Sequence, residues 1–131
     1  MFEFLQPDGW VAPVGYANGV AARGKTIYVG GQIGWNGQQQ FDCDDLPGQV
    51  RQTLKNIVAV LEAGGAEPRH ITQMTWYLTD KQDYLVHLKE IGSAYRDVIG
   101  RHYPAMAAVQ VVGLIEDRAK VEIQAIAVIP E

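Results

Sequence analysis

The sequence predicts one α+β domain, with two helices on one face of a β-sheet. Two stretches repeat apolar residues at the 3.6-residue period of a helix. Five others alternate, or are rich in β-branched and aromatic residues, as strands are. The chain has 131 residues, so residues 1–131 fit a single domain. The order is strand, strand, helix, strand, helix, strand, strand, and the two stripes let both helices lie on the same sheet face.

The elements follow in order. Residues 1–15 hold Pro7, Gly9, Pro13 and Gly15 and read as an irregular arm. Residues 19–23 form a first strand, with a turn at Gly24-Lys25. Residues 26–33 form a second, with Ile27, Val29, Gly31 and Ile33 alternating against Thr26, Tyr28, Gly30 and Gln32. Asn36-Gly37 marks a tight turn. Asp44, Asp45 and Pro47 then suit the start of a helix whose stripe is Val50, Leu54, Ile57, Val58 and Leu61. Gly64-Gly65 stops it, because glycine adopts the left-handed cap without a Cβ clash. Residues 71–78 read as a strand. Thr79 or Asp80 caps a second helix with Tyr84, Leu88, Ile91, Tyr95 and Val98 on its stripe and Gly100 at its end. Residues 107–112 and 121–129 are the last strands, joined through Glu116-Asp117-Arg118. The second sheet face then meets water or a partner. Val109, Val111, Ile126 and Val128 are its candidate outward residues, and this much apolar surface favours an oligomer.

Composition narrows the functions. Hydrophobic residues at 47% and charged residues at 20% are ordinary for a globular core. A net charge of −4 argues against nucleic acid or an anionic membrane as the main partner, since either usually needs a basic face. The opening residues carry Glu3 early and lack a basic start and an apolar run, so no signal peptide is expected. No stretch approaches the roughly 18 apolar residues of a spanning helix. A single cysteine, Cys43, allows no intramolecular disulfide, and the cytoplasm is the expected compartment. Neighbouring Asp42, Asp44 and Asp45 disfavour a thiolate, so Cys43 is not read as a nucleophile.

Local motifs are mostly negative. His70, His87 and His102 are dispersed, and neither H-E-x-x-H nor C-x-x-C occurs, so no metal is expected. The glycine-rich run from Gly30 to Gly37 matches neither a dinucleotide fingerprint nor a P-loop and reads as a strand end and turn. No G-x-S-x-G elbow is present. Of Trp10, Trp35 and Trp76, Trp35 beside its turn is the candidate for lining a ligand.

Five phrases in register carry a family resemblance. They are Pro13-Val14-Gly15-Tyr16-Ala17-Asn18-Gly19-Val20, Val29-Gly30-Gly31-Gln32-Ile33, the helix phrase from Gln49 to Ile57, Pro104-Ala105 with Ala108-Val109, and the closing strand from Val121 to Ala127. Together they resemble the Rid (reactive intermediate deaminase, YjgF-like) family from about Pro13 to Ile129. The resemblance implies a chorismate-mutase-like mixed sheet with two helices on one face. It also implies a homotrimer with pockets between subunits, and cofactor-free hydrolysis of enamines and imines such as 2-aminoacrylate. In such members an arginine clamps the substrate carboxylate, a glutamate on the last strand handles water or protons, and backbone groups position the reacting centre.

Carried over residue by residue, Glu122 matches the glutamate as the catalytic candidate, and Tyr16 matches the pocket tyrosine. Gly31 and Ala108 match positions that contribute backbone. The arginine position holds Met106, and a thioether cannot neutralise a carboxylate. Gly30 replaces the usual serine, Gly92 falls where an asparagine is expected, and the segment between Asp83 and Tyr95 is longer. Two readings follow. One is an imine-hydrolysing enzyme with a less anionic pocket, poor on small anionic imines, in which Glu122 guides water. The other is a non-catalytic trimer that binds a small molecule between subunits.

Overall fold

The computed structural model describes residues 2–131. Four strands make the main sheet: β3 (Gly24–Ile33), β4 (Ile71–Leu78), β5 (Ala105–Gln110) and β6 (Val121–Pro130). Their spatial order is β3-β6-β4-β5. β6 runs antiparallel to both β3 and β4, and β4 and β5 are parallel, so the sheet is mixed. The long helix α1 (Leu46–Ala63) and the shorter α2 (Lys81–Val86) and α3 (Leu88–Val98) complete the layers. No helix is long and apolar enough to cross a membrane.

The periodicity holds where a face is buried. α1 starts with Asp45 as its cap, its carboxylate accepting the Gly48 N–H at 2.9 Å. Asp44 does not help there. It pairs with the Arg118 guanidinium, which holds its carboxyl below the usual range. The helix ends with Gly65 at φ +80°, the Ala66 N–H reaching back to the Leu61 carbonyl at 2.8 Å. Val50, Leu54, Ile57 and Leu61 have no exposed surface and press against Val29, Met74, Ile123 and Ala125 of the sheet.

Four expectations change. The arm is not wholly irregular, because β1 (Glu3–Leu5) pairs antiparallel with β2 (Gly19–Ala21) in a separate two-stranded sheet. The 19–23 strand therefore pairs backwards to the N-terminus and not forwards across Gly24. Gly24 itself begins β3 at φ +151°, where a Cβ would stand 1.9 Å from the Ile129 carbonyl oxygen. The second predicted helix is two, broken at His87, whose φ of −112° leaves the helical range. The 107–112 strand begins two residues earlier, at Ala105, through its parallel ladder with β4. The turn near Asn36 is organised by that side chain, whose Oδ1 accepts from the Gln38 and Gln40 N–H groups, and the left-handed residue is Gln39, not Gly37.

One further correction matters for the site. Register shifts between Val29 and Gln32, with three steps on β3 against two on β6. This bulge reverses the alternation of the second predicted strand. Ile27 and Val29 pair with Ala127 and Ala125 on the helix side, whereas Ile33 pairs with Glu122 on the other side. Ile33 is buried yet stands outside the main core cluster. The outward face expected from sequence carries Ile126, half-buried, and Val109, exposed, together with Tyr28, which is 76% exposed. Val128 is buried, and Val111 lies just beyond β5.

Candidate functional site

The expected site residues fall into two groups on opposite sides of the sheet. Met106 pairs with fully buried Met74, and Ala108 with buried Trp76, so both strand positions face the helices. Glu122 pairs with Tyr77 and lies on the other face. β4 stands between β5 and β6, which separates the two strands by roughly 10 Å in the sheet plane. Within one chain, Glu122 and Met106 do not meet.

On the open face, the Glu122 carboxylate lies directly over Gly31. A Cβ on Gly31 would stand 2.4 Å from Oε2, so glycine is what leaves room for the acid. Among the described residues the carboxylate receives no side-chain hydrogen bond and forms no ion pair. Its lone pairs are available to something outside the chain.

On the helix side, a cavity of about 490 Å³ opens between β4, β5 and the α2–α3 layer. Its wall includes Met106, Trp76, Tyr84, Tyr95, Tyr103 and Arg96, and the arm closes one side with Val14 and Gly15. Tyr16 follows directly, 44% exposed, before Ala17 bridges Ala105 and donates its N–H to the Pro104 carbonyl at 2.9 Å. The arm is thus tied to the β5 edge, with Tyr16 beside the cavity mouth. Ala108 lines a smaller neighbouring space of about 220 Å³ with Leu78, Tyr84 and Leu85. Trp35 is elsewhere. Its ring packs against Phe41 at 6.0 Å, and its carbonyl accepts from Asn56 at 2.7 Å.

The cavity wall is largely aromatic and apolar. Tyr95 is held by its hydroxyl, which donates to the His102 carbonyl at 2.6 Å, and by Tyr103 stacked on it at 5.5 Å. Burial pushes the phenols of Tyr95 and Tyr84 upward, so both stay protonated. Trp76 is 4% exposed, and its Nε1–H is buried with no acceptor. Such an orphan costs about 1–3 kcal/mol, so buried donors are normally paired. Sequence reasoning preferred Trp35 to Trp76 and did not single out Arg96 among the arginines, yet Trp76 and Arg96 line the cavity and Trp35 does not. Their signal is spatial: a tryptophan opposite small Ala108, and an arginine one turn beyond a helical glycine. No three His, Cys, Asp or Glu side chains among the described residues cluster to hold a metal.

Comparison with known proteins fits this arrangement. A family model described as Endoribonuclease L-PSP matches residues 10–129. The chain belongs to that family, also called YjgF or Rid. A RutC family protein of Pyrococcus horikoshii is 32% identical over 128 residues, spanning 97% of this chain and 98% of the relative. A Salmonella typhimurium protein named 2-iminobutanoate/2-iminopropanoate deaminase is 31% identical, spanning 98% of each. The crystal structure of Escherichia coli TdcF with bound serine superposes with a TM-score of 0.69 at 32% identity, covering 92% of this chain and 91% of that one. A Rid-family protein of unknown function from Yersinia pestis reaches a TM-score of 0.86 at 24% identity, covering 98% of both chains, and shows the shared fold. The YjgF/Rid fold expected from the five phrases is therefore the fold of this chain.

Proposed function

We propose that this Rid-family chain hydrolyses an imine or enamine at a site shared between copies in a homotrimer. The observation that carries this reading is the Glu122 carboxylate. It lies over Gly31 without a hydrogen-bond or ion-pair partner among the described residues, on the sheet face away from the cavity. A second copy seated on the open face, where Tyr28 and Val109 are exposed, would bring Glu122 and Gly31 of one subunit to the Met106 cavity of the next. Relatives named as imine deaminases support the reaction class.

The chemistry asks little of the protein. Water adds to the electrophilic imine carbon, and Glu122 takes a proton from it. The resulting carbinolamine breaks its C–N bond as the nitrogen is protonated, a C=O bond forms, and ammonia leaves. No oxidation or reduction occurs. Met106 and the aromatic wall make the strand side of the pocket apolar, which favours an apolar substituent over the smallest imines. The net charge of −4 does not support an RNA substrate.

Ammonia release from imines made by an amino acid oxidase tests the reaction. Glu122→Gln lowers turnover at least a hundredfold with the fold intact. Mixing Glu122→Gln with a cavity-blocked Met106→Trp variant restores part of the activity after subunit exchange. No recovery, together with a monomeric mass in light scattering, sinks the shared site. A second reading, a ligand-binding trimer without catalysis, draws on Met106 at the clamp position. Under it the wild type binds ligand without releasing ammonia, and Glu122→Gln changes neither result.

A further inference from the structure

We infer that the two spaces beside β5 form one extended ligand site, that Tyr84 is the movable partition between them, and that Tyr84 and Ala108 together select a ligand with a long apolar chain. This rests on the functional reading above and names a specificity device of the same site. The first observation is alignment. Met106 lines the cavity of about 490 Å³ and Ala108 the space of about 220 Å³. They stand two residues apart on β5, so their side chains share one sheet face and the spaces follow each other along the strand at a step of roughly 7 Å. Among the described residues, Tyr84 is the one side chain common to both walls.

The second observation is the chemistry of the smaller space. Leu78, Leu85 and Ala108 give it an apolar wall, and the single methyl of Ala108 is what leaves it open. Its polar members, Lys81 and Gln110, are tied to each other, the Lys81 N–H donating to Gln110 Oε1 at 2.6 Å. A chain arriving from the cavity therefore meets apolar surface as far as that tie. A compact group fits the larger cavity alone, whereas two apolar spaces in line along a strand fit an extended one.

The third observation is that Tyr84 can move. It belongs to α2, which buries none of its residues. The side-chain hydrogen bonds of this segment lie at its two ends. Asp80 accepts the Gln82 and Asp83 N–H groups, Gln110 accepts the Lys81 N–H, and His87 Nδ1 meets Asp83. None of them holds the Tyr84 hydroxyl. The helix also breaks at His87, directly before α3 begins. The ring can turn aside without giving up a hydrogen bond within the chain, which joins the two spaces. Each methylene that then leaves water for the apolar wall tightens binding about fourfold.

Methyl NMR and calorimetry on the intact protein test this without turnover, with butanamide and octanamide as neutral probes. Both probes are expected to shift the Met106 and Ile91 methyl signals, and octanamide alone to shift those of Ala108 and Leu85. Ala108→Leu fills the smaller space and is expected to weaken octanamide about tenfold while leaving butanamide within about twofold. Tyr84→Ala removes the partition and is expected to tighten octanamide about fourfold relative to butanamide. Variants that move both probes alike overturn the inference, because that is what a purely structural role produces. So do Ala108 and Leu85 signals that octanamide leaves in place, or absence of octanamide binding to the wild type. The wild-type spectra and Ala108→Leu decide the matter even where Tyr84→Ala does not fold. The ammonia assay on Glu122→Gln decides the catalytic reading by itself, so the two readings fail separately.

Discussion

The two ends of the helical layer treat the same sheet differently. α1 sets Gln49, Val50, Thr53, Leu54, Ile57 and Leu61 against it with no exposed surface. It comes so close that a Cβ on Gly34 would stand 2.6 Å from the Gln49 Cβ. α3 buries only Ile91, Ala94 and Tyr95 and leaves a cavity above Met106. Buried polar groups follow the same division. Gln49 is satisfied three times over, donating to the Cys43 and Arg118 carbonyls and accepting the Lys120 N–H at 2.8 Å. Trp76 is left with nothing. One end is finished as a core and holds the fold. The other keeps a cavity between the helix and the strands.

This contrast sets the size of mutational effects. Leu54→Ala removes a side chain from the finished end and should cost about 3 kcal/mol in urea unfolding. A loss under 1 kcal/mol would mean that α1 repacks freely and the division is false. Gln49→Leu strands three backbone groups and should cost about 2 kcal/mol. Trp76→Phe loses no internal hydrogen bond and should cost at most about 1 kcal/mol. Equal costs for the last two would show that the indole N–H is satisfied after all.

The smallest effects are ionic. His87, at the break between α2 and α3, has its pKa raised, first by the Asp83 carbonyl that accepts from Nδ1 at 2.9 Å, and then by the Asp83 carboxylate. Its contribution is present below pH 6.5 and fades as pH rises through the raised value. His70 is lowered, mainly by burial, with Nδ1 accepting the Glu67 N–H at 2.9 Å. It weakens the fold as pH falls below 6.5. Histidine titration by NMR should place His87 above 6.5 and His70 below it, and the reverse order would remove this account of the junction.

The sequence showed α1, β4, β6 and the Gly64-Gly65 stop because each has a buried face whose period is continuous. It hid β1, because Glu3, Phe4 and Leu5 pair outside the main sheet and stay exposed. It hid the break at His87 because Tyr84, Leu88, Ile91 and Tyr95 continue the stripe across it. Glu122, Gly31 and Met106 were visible through the family phrases, but their separation onto two faces was not. That depends on pairing register, which no single strand carries. Arg96 reads as solvent-facing on an amphipathic helix and is exposed, with its guanidinium lying over Gly92 at the cavity edge.

The bulge at Gly30-Gly31 has a consequence for how such a chain can vary. It acts as a phase shifter in the reading of β3. Deleting one of the two glycines would leave a regular ladder with Gln32 still opposite Ile123 and Ile33 still opposite Glu122, whereas deleting both would turn the segment after them over. Length changes are cheap in the surface loops around Asn36 and Gly113, which bear no such phase. The stretch from Val29 to Ile33 can therefore lose its one extra residue without changing faces, but not a second.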